Sequence, residues 1–581
     1  MAITYRITPQ INNHVYKVHL SFTATSGHQE LKLPVWIPGS YMVREFSKQI
    51  INVNPINTNH VVNQINKNTW NITGLNIGSL VELEYLVYAY EYGIRTAFLD
   101  FNRGYFNPTS VCLAVAGNEA SPHTVTFEEL PANWQVATGL KNIADTSYVA
   151  ANYDELIDSP FELGKFERIT FNVAGVPHYL VLSGVIPEFD RERIITDMTK
   201  VCEFQIKMFG GVAPYDDYTF ILNLSGEIYT GLEHRNSTLL MAPYYALPNL
   251  AKTNDTDYHK LMGLISHEFF HTWNVKRIKP KVFTPYDLDQ ENYTKLLWWF
   301  EGVTSYYDDL VLYRTGVITQ EQYLQLIVDA LNNVYKFAGV KLQSLANSSL
   351  TSWIKYYRQD ENSPNSIVSY YVKGSLVALC LDLLIRKDSA HSLDDVMLHL
   401  YKEWCANPIG VGENEIPHLI KAATGIDLSD FIHLATETVA DIPFAEIFAE
   451  YGLDLISLQA GSHQDSGKYT KDKLEQSNSS FKADLGMKLE KQAHGYLVKN
   501  VYKDASGEKN GFAAGDLLIA INNVKLSNLE RQLAFYSSGE VVKISLFRQE
   551  QLLEINLKLE ASNVGLINLR LINSEKLLNW L

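Results

Sequence analysis

The sequence predicts a multidomain α+β protein, and three observations carry that expectation. The first third alternates polar and apolar side chains in short runs, the pattern of half-buried strands. The middle holds a series of amphipathic segments long enough for helices. Beyond a polar stretch, short strand patterns return. With 581 residues the chain exceeds what one hydrophobic core normally spans. Three domains are expected, at 1–168, 169–446 and 447–581.

Element by element, His14 to Phe22 and Val81 to Tyr90 read as strands, with turns at Pro38-Gly39 and Asn57 to Asn59. An antiparallel β-sandwich is the natural class for this part. Arg191 to Phe209 reads as an amphipathic helix and Tyr218 to Leu224 as a strand. Leu261 to Val275 is a helix with Asp255 or Asp257 near its start as caps, and 291–314 is a second helix. Further helices are expected at 319–336, 370–386, 393–406, 415–423 and 428–436. The middle region is therefore α/β giving way to all-α. The stretch near 462–480 is rich in Ser, Gln, Lys and Asp and reads as a linker or inserted loop. Gly495 to Val501 and Val541 to Phe547 are strands again.

Composition excludes some functions. The formal net charge of -16 disfavours a phosphate backbone or an anionic membrane as partner. No apolar run approaches the ~20 residues of a membrane span. The N-terminus lacks a basic region followed by an apolar one, so a cytoplasmic location is expected. Cys112, Cys202, Cys380 and Cys405 form no CxxC pair; they read as free buried thiols, which fits a reducing compartment.

The chemistry lies in His267-Glu268-Phe269-Phe270-His271. Four positions on a helix turn through about 400°, so both imidazoles lie about 40° apart on one face and can bind one ion. Glu268, offset by about 100°, reaches the side where water would sit. This is the HExxH arrangement of two metal ligands and a general base. A hydrolytic zinc site needs a third protein ligand. Glu301, in the apolar run Trp298 to Tyr307, is the candidate, since a carboxylate there is costly unless paired or metal-bound. Gly302 beside it suggests close packing. Asp308, seven positions on, lies on the same face; it is either an acceptor for a ligand histidine or a solvated carboxylate beside Asp309.

Together, HEFFHTWNVKRIKP at 267–280 and WWFEGVTSYYDDL at 298–310 resemble the glycyl aminopeptidase family of zinc metallopeptidases. The resemblance covers nearly the whole chain. Trp36 to Arg44 is similar to that family's β-domain signature. It implies a thermolysin-like catalytic domain with a His, His, Glu metal set, and therefore Zn2+ at His267, His271 and Glu301. Thr230-Gly231-Leu232-Glu233-His234 resembles the segment whose glutamate grips the substrate's free amine in related aminopeptidases. Glu233 is accordingly expected to bind substrate; an ion pair with Arg235 is the plain alternative. Tyr370-Tyr371-Val372-Lys373-Gly374 resembles the segment whose tyrosine donates to the oxyanion, which by residue match is Tyr371, with Tyr370 adjacent. An aromatic core on a helix is the alternative there.

Gly511 to Asn523 resembles a PDZ domain, with Leu485-Gly486-Met487 as its carboxylate loop and Tyr451 to Leu458 as a first strand. Such a module binds protein C-termini by β-augmentation, or braces the catalytic domain or a homo-oligomer. The expected activity is removal of the N-terminal residue, small ones such as Gly or Ala by the resemblance, from peptides with a free amine. An endopeptidase using the same metal site and a scaffold with an inactive peptidase domain are the alternatives.

Overall fold

The computed structural model describes residues 3–251, 256–460, 465–473, 483–561 and 565–581. Asp255 and parts of the 462–480 stretch lie outside the described residues. The chain divides into two compact units: residues 1–293 with 400–412, and residues 294–399 with 413–581.

The first unit begins with three sheets. In a seven-stranded sheet, Val15–Thr23 pairs antiparallel with Leu80–Tyr88 in the register Val18↔Tyr85 and Leu20↔Leu83. Alternation places these four side chains on one face, where all are fully buried. One parallel pair, Ile3–Gln10 with His123–Phe127, makes this sheet mixed. The core does not stop at the β-domain: Ile221, Leu232, Leu239 and Met241 belong to the same apolar cluster. These residues lie on the sheet that follows, which is why both parts fall in one unit.

That five-stranded sheet has the order Glu167–Val173, Val176–Gly184, Tyr218–Ser225, Ser237–Pro243, Thr230–Glu233. The three inner strands are parallel and the edge strand Thr230–Glu233 is antiparallel to its neighbour. Tyr218–Ser225 is buried along its whole length, as expected for a strand covered on both faces. The helices Arg191–Met208 and Thr256–Phe270 pack on each other, and the latter also on the edge strand. It stops at Phe270 rather than continuing to Val275. The last turns tighten, with Thr272 and Trp273 donating to the carbonyls of Phe269 and Phe270, and the chain folds back.

In the second unit the expected helix over 291–314 is two pieces, Leu297–Phe300 and Gly302–Arg314, broken at Glu301. Val372–Asp388 crosses the second piece at a glycine pair: a Cβ on Gly302 would lie 2.5 Å from Cα of Gly374. Gln320–Tyr335 is opened by a capping box of Thr319 and Gln322. Tyr451 to Leu458 is not a PDZ strand. Leu453–Gln459 instead forms a separate three-stranded sheet with Gly565–Leu571 and Tyr469–Thr470. The PDZ fold, with its own apolar core, is inserted between the last two of these strands. That pair is parallel, and parallel strands need a crossover of roughly a dozen residues or more. The PDZ fold supplies the crossover. Cys112, Cys202 and Cys380 are buried free thiols, but Cys405 is exposed. Among the described residues no helix is long and apolar enough to cross a membrane.

Candidate active site

His267 and His271 occupy the C-terminal end of the helix Thr256–Phe270 and the turn just beyond it, and their Nε2 atoms lie 3.1 Å apart. Two imidazoles each about 2.0–2.1 Å from one tetrahedral ion hold their nitrogens a little over 3 Å apart, so the pair fits such an ion. His271 is fixed by its other ring nitrogen: Nδ1–H donates to the Asn274 carbonyl at 2.6 Å. A carbonyl can only accept, so Nε2 is left with its lone pair for the metal. The early end of the helix turns the Asn274 carbonyl back toward that ring.

Glu268 is buried beside them, and two glycines shape the space around it and Glu233. A side chain on Gly231, in the edge strand, would collide with the Glu268 carboxylate. A side chain on Gly39 would collide with the carboxylate of Glu233, and Gly39 has φ 85°, a conformation that favours glycine. The signature Trp36 to Arg44 thus folds as a wall against Glu233. Trp36 packs its ring on Phe283 and Tyr286 at 5.7 and 5.4 Å, and Tyr41 on Phe283 at 6.2 Å.

Glu233 is 3% exposed, and among the described residues its Oε1 has no hydrogen-bond partner. It offers one ligand atom within 4.8 Å of those of Glu268 and His271. Arg235 turns elsewhere, its Nε 3.7 Å from Asp158. Asp158 is a residue no motif announced. It accepts from His234 Nδ1 at 3.1 Å and from the Arg235 main-chain N–H at 3.1 Å, and pairs with Lys276 at 2.6 Å. Burial disfavours its charge, but Lys276, the His234 hydrogen bond and Arg235 outweigh that and hold its carboxyl well below the usual range. Asp158 so ties the edge strand to the turn that follows the metal helix.

The remaining candidates lie in the second unit. Glu301 is 2% exposed, at the break between two helices. Asp308 is half-buried on Gly302–Arg314. Tyr371 precedes the helix Val372–Asp388 and is half-buried, whereas its neighbour Tyr370 is fully buried. Their rings pack at a tilt of 30° with centroids 4.7 Å apart, and Tyr356 joins at 4.8 Å from Tyr370 and 5.6 Å from Tyr371. Burial raises the Tyr370 hydroxyl well above its usual range, and the charges of Tyr357 and Glu301 add to this. Glu301 therefore faces this tyrosine cluster.

The M61 glycyl aminopeptidase model matches residues 260–377, which span the histidines, Glu268, Glu301, Asp308 and Tyr371. The M61 N-terminal domain matches 4–165 and a PDZ domain matches 483–559. The crystal structure of an aminopeptidase N family protein from Idiomarina loihiensis is 37% identical, with a TM-score of 0.94 and full coverage of both chains. The M1 zinc metallopeptidase from Deinococcus radiodurans is 13% identical with a TM-score of 0.48, over 76% of this chain and 95% of that one. A comparison with curated proteins gives no match. The chain belongs to the M61 glycyl aminopeptidase family and is a metallopeptidase.

Proposed function

We propose that the protein is a zinc-dependent aminopeptidase that removes one small residue, glycine or alanine, from the free N-terminus of a peptide. The observation that carries this is Glu233: a buried carboxylate whose Oε1 has no hydrogen-bond partner among the described residues, with a ligand atom within 4.8 Å of those of the general base Glu268 and the ligand His271. An ammonium held there leaves room for a single residue before the cleaved bond. The size preference rests on the family. His267, His271 and Glu301 would hold the ion, and in support the two histidine Nε2 atoms lie 3.1 Å apart. Two imidazoles and a carboxylate are a hydrolytic zinc donor set.

Bound there, zinc supplies Lewis-acid polarisation of the scissile carbonyl and of the attacking water. Glu268 takes the proton from that water and returns it to the leaving amine. The Tyr371 hydroxyl, half-buried where Tyr370 is sealed, donates to the oxyanion of the tetrahedral carbon. Asn274 orients His271, and Asp308 is the acceptor proposed for a ligand histidine. Glu268→Gln should keep stoichiometric metal and lose turnover, whereas Glu301→Ala should lose the metal as well. Tyr371→Phe should lower kcat more than it raises KM. Cleavage of amino-blocked peptides at the rate of free ones would sink the exopeptidase reading in favour of an endopeptidase.

The PDZ module is read as a brace rather than a receptor for C-termini. In its carboxylate loop the Gly486 N–H already donates to the Asp484 carboxylate at 2.9 Å, so an incoming carboxylate would meet an occupied donor and a like charge. The Asn365 side chain instead clamps the module, donating to the Val501 carbonyl at 2.8 Å and accepting from the Lys503 N–H at 2.9 Å. Isothermal titration with free C-terminal peptides should show no binding.

A further inference from the structure

The assigned roles give the edge strand a direction. Glu233 takes the amine and Glu268 lies against Gly231, so an extended substrate on Thr230–Glu233 runs from Glu233 past Gly231 toward Tyr229 and Ile228. A strand advances about 3.4 Å per residue, so the second and third residues beyond the cleaved bond reach the loop before the edge strand. There a cleft of about 840 Å³ opens. Its walls include Tyr92, Phe101, Val185, Ile228 and Tyr244, which are 42%, 67%, 59%, 37% and 41% exposed. Single exposed apolar residues need no explanation, but five around one concavity mark a binding surface.

The cleft also holds a built polar group. Arg103 is only 7% exposed, and its Nε and Nη2 donate to Glu162 at 2.9 and 2.7 Å. Among the described residues its Nη1 has no acceptor. The guanidinium lies 5.9, 5.8 and 5.0 Å from the rings of Tyr92, Phe98 and Tyr105. The lining also includes Asp100, Lys165 and Glu227, but Glu162 cancels the charge of the buried Arg103 beneath the aromatic rings, so this wall suits apolar side chains.

We propose that this cleft binds the leaving portion of an oligopeptide substrate, taking apolar or aromatic side chains at the second and third positions beyond the cleaved bond. The occupant is the substrate itself, because the cleft continues directly from the strand along which the substrate lies. The inference rests on the reading of Glu233 as the amine anchor. It makes the enzyme a selector of longer peptides with apolar interiors.

The test uses the full-length zinc-loaded enzyme and two pentapeptides, Gly-Ala-Phe-Leu-Ala and Gly-Ala-Ser-Asn-Ala. The apolar peptide should show kcat/KM roughly tenfold or more above the polar one, the scale of one or two apolar side chains in a pocket. In Phe101→Ser and Ile228→Ser the ratio should fall toward one. A ratio between two substrates does not move with the fraction of folded enzyme, so partial misfolding does not mimic the effect. Equal kcat/KM in the unaltered enzyme, or a ratio untouched by both substitutions, overturns the proposal. A glycine anilide tested with free and acetylated amine is read separately. Equal rates there overturn the Glu233 anchor and the chain direction with it, whatever the pentapeptide ratio.

Discussion

At the scale of single residues, the site depends on atoms that are missing as much as on those present. Gly231 leaves the space that the Glu268 carboxylate occupies. Gly231→Ala should displace the base while leaving both histidines in place. Metal content should then stay near one per chain and kcat fall by on the order of 10²-fold, the cost of misplacing a reacting group by about 1 Å. A variant with unchanged kcat would show that Glu268 is not the base. Asp158 acts through others. Removing its charge by Asp158→Asn leaves Lys276 buried beside His234 without a counter-ion, which should cost about 3–5 kcal/mol in chemical denaturation. Lys279 gives a pH signature. Its amine lies over the rings of Tyr286 and Trp404, and burial, then Lys276 and Arg235, push its pKa down to about 7. The unfolded chain keeps that proton to about 10.4, so between the two values folding releases a proton and stability rises with pH. Lys279→Met should flatten this rise, as followed by Tm from pH 7 to 10, and gain most stability at the lower end.

At the scale of elements, two helix interruptions lie at candidate residues. The metal helix ends one residue before His271, and that ending sends the Asn274 carbonyl to the His271 ring. The second interruption is at Glu301, between Leu297–Phe300 and Gly302–Arg314. The helix preceded by Glu301 and the helix preceded by Tyr371 meet at Gly302 and Gly374. A Cβ on Gly374 would lie 2.7 Å from the Trp298 carbonyl and 2.9 Å from Gly302 Cα. Gly374→Ala should therefore cost about 1–3 kcal/mol by overpacking and shift both side chains, lowering Tm and kcat together. If Tm falls without kcat, the crossing supports the fold and not the geometry of the site. The sequence showed that Gly302 invites close packing, but the partner glycine could not be read from it. A crossing joins residues far apart in the chain and leaves no local period.

At the scale of the whole molecule, the C-terminal part is two structures threaded together. Gly565–Leu571 completes a sheet begun by Leu453–Gln459, and the Asn332 side chain both donates to the Ile567 carbonyl and accepts from its N–H, each at 2.8 Å. Trp580 is buried against Tyr323 and Tyr451. Deleting 565–581 should thus destabilise the helical unit, seen as a lower Tm and loss of activity. Replacing 483–559 by a flexible linker of about a dozen residues, long enough for the crossover, removes the clamp at Asn365 and should lower Tm by less than that deletion. If the two deletions behave alike, the PDZ fold is integral to the peptidase. The periodic pattern located the strands on either side of the polar stretch, but it assigned Tyr451 to Leu458 to the wrong sheet. Period-two alternation specifies that a strand has an inner face, not which strand it pairs with.

By itself the sequence proposed a reactive set and determined its local geometry. A four-residue spacing puts two imidazoles on one helix face, and a carboxylate next to the first reaches the water side, because helix pitch is fixed by the backbone. The family-like segments likewise placed Glu233 and Tyr371 on their elements. Only the tertiary structure decided what surrounds them. It set Gly39 and Gly231 against two carboxylates, gave Asp158 three partners from distant segments, opened a cleft beyond the edge strand and inserted the PDZ fold into another sheet. Those are contacts across the chain. They depend on shape and burial, which no local pattern of residues encodes.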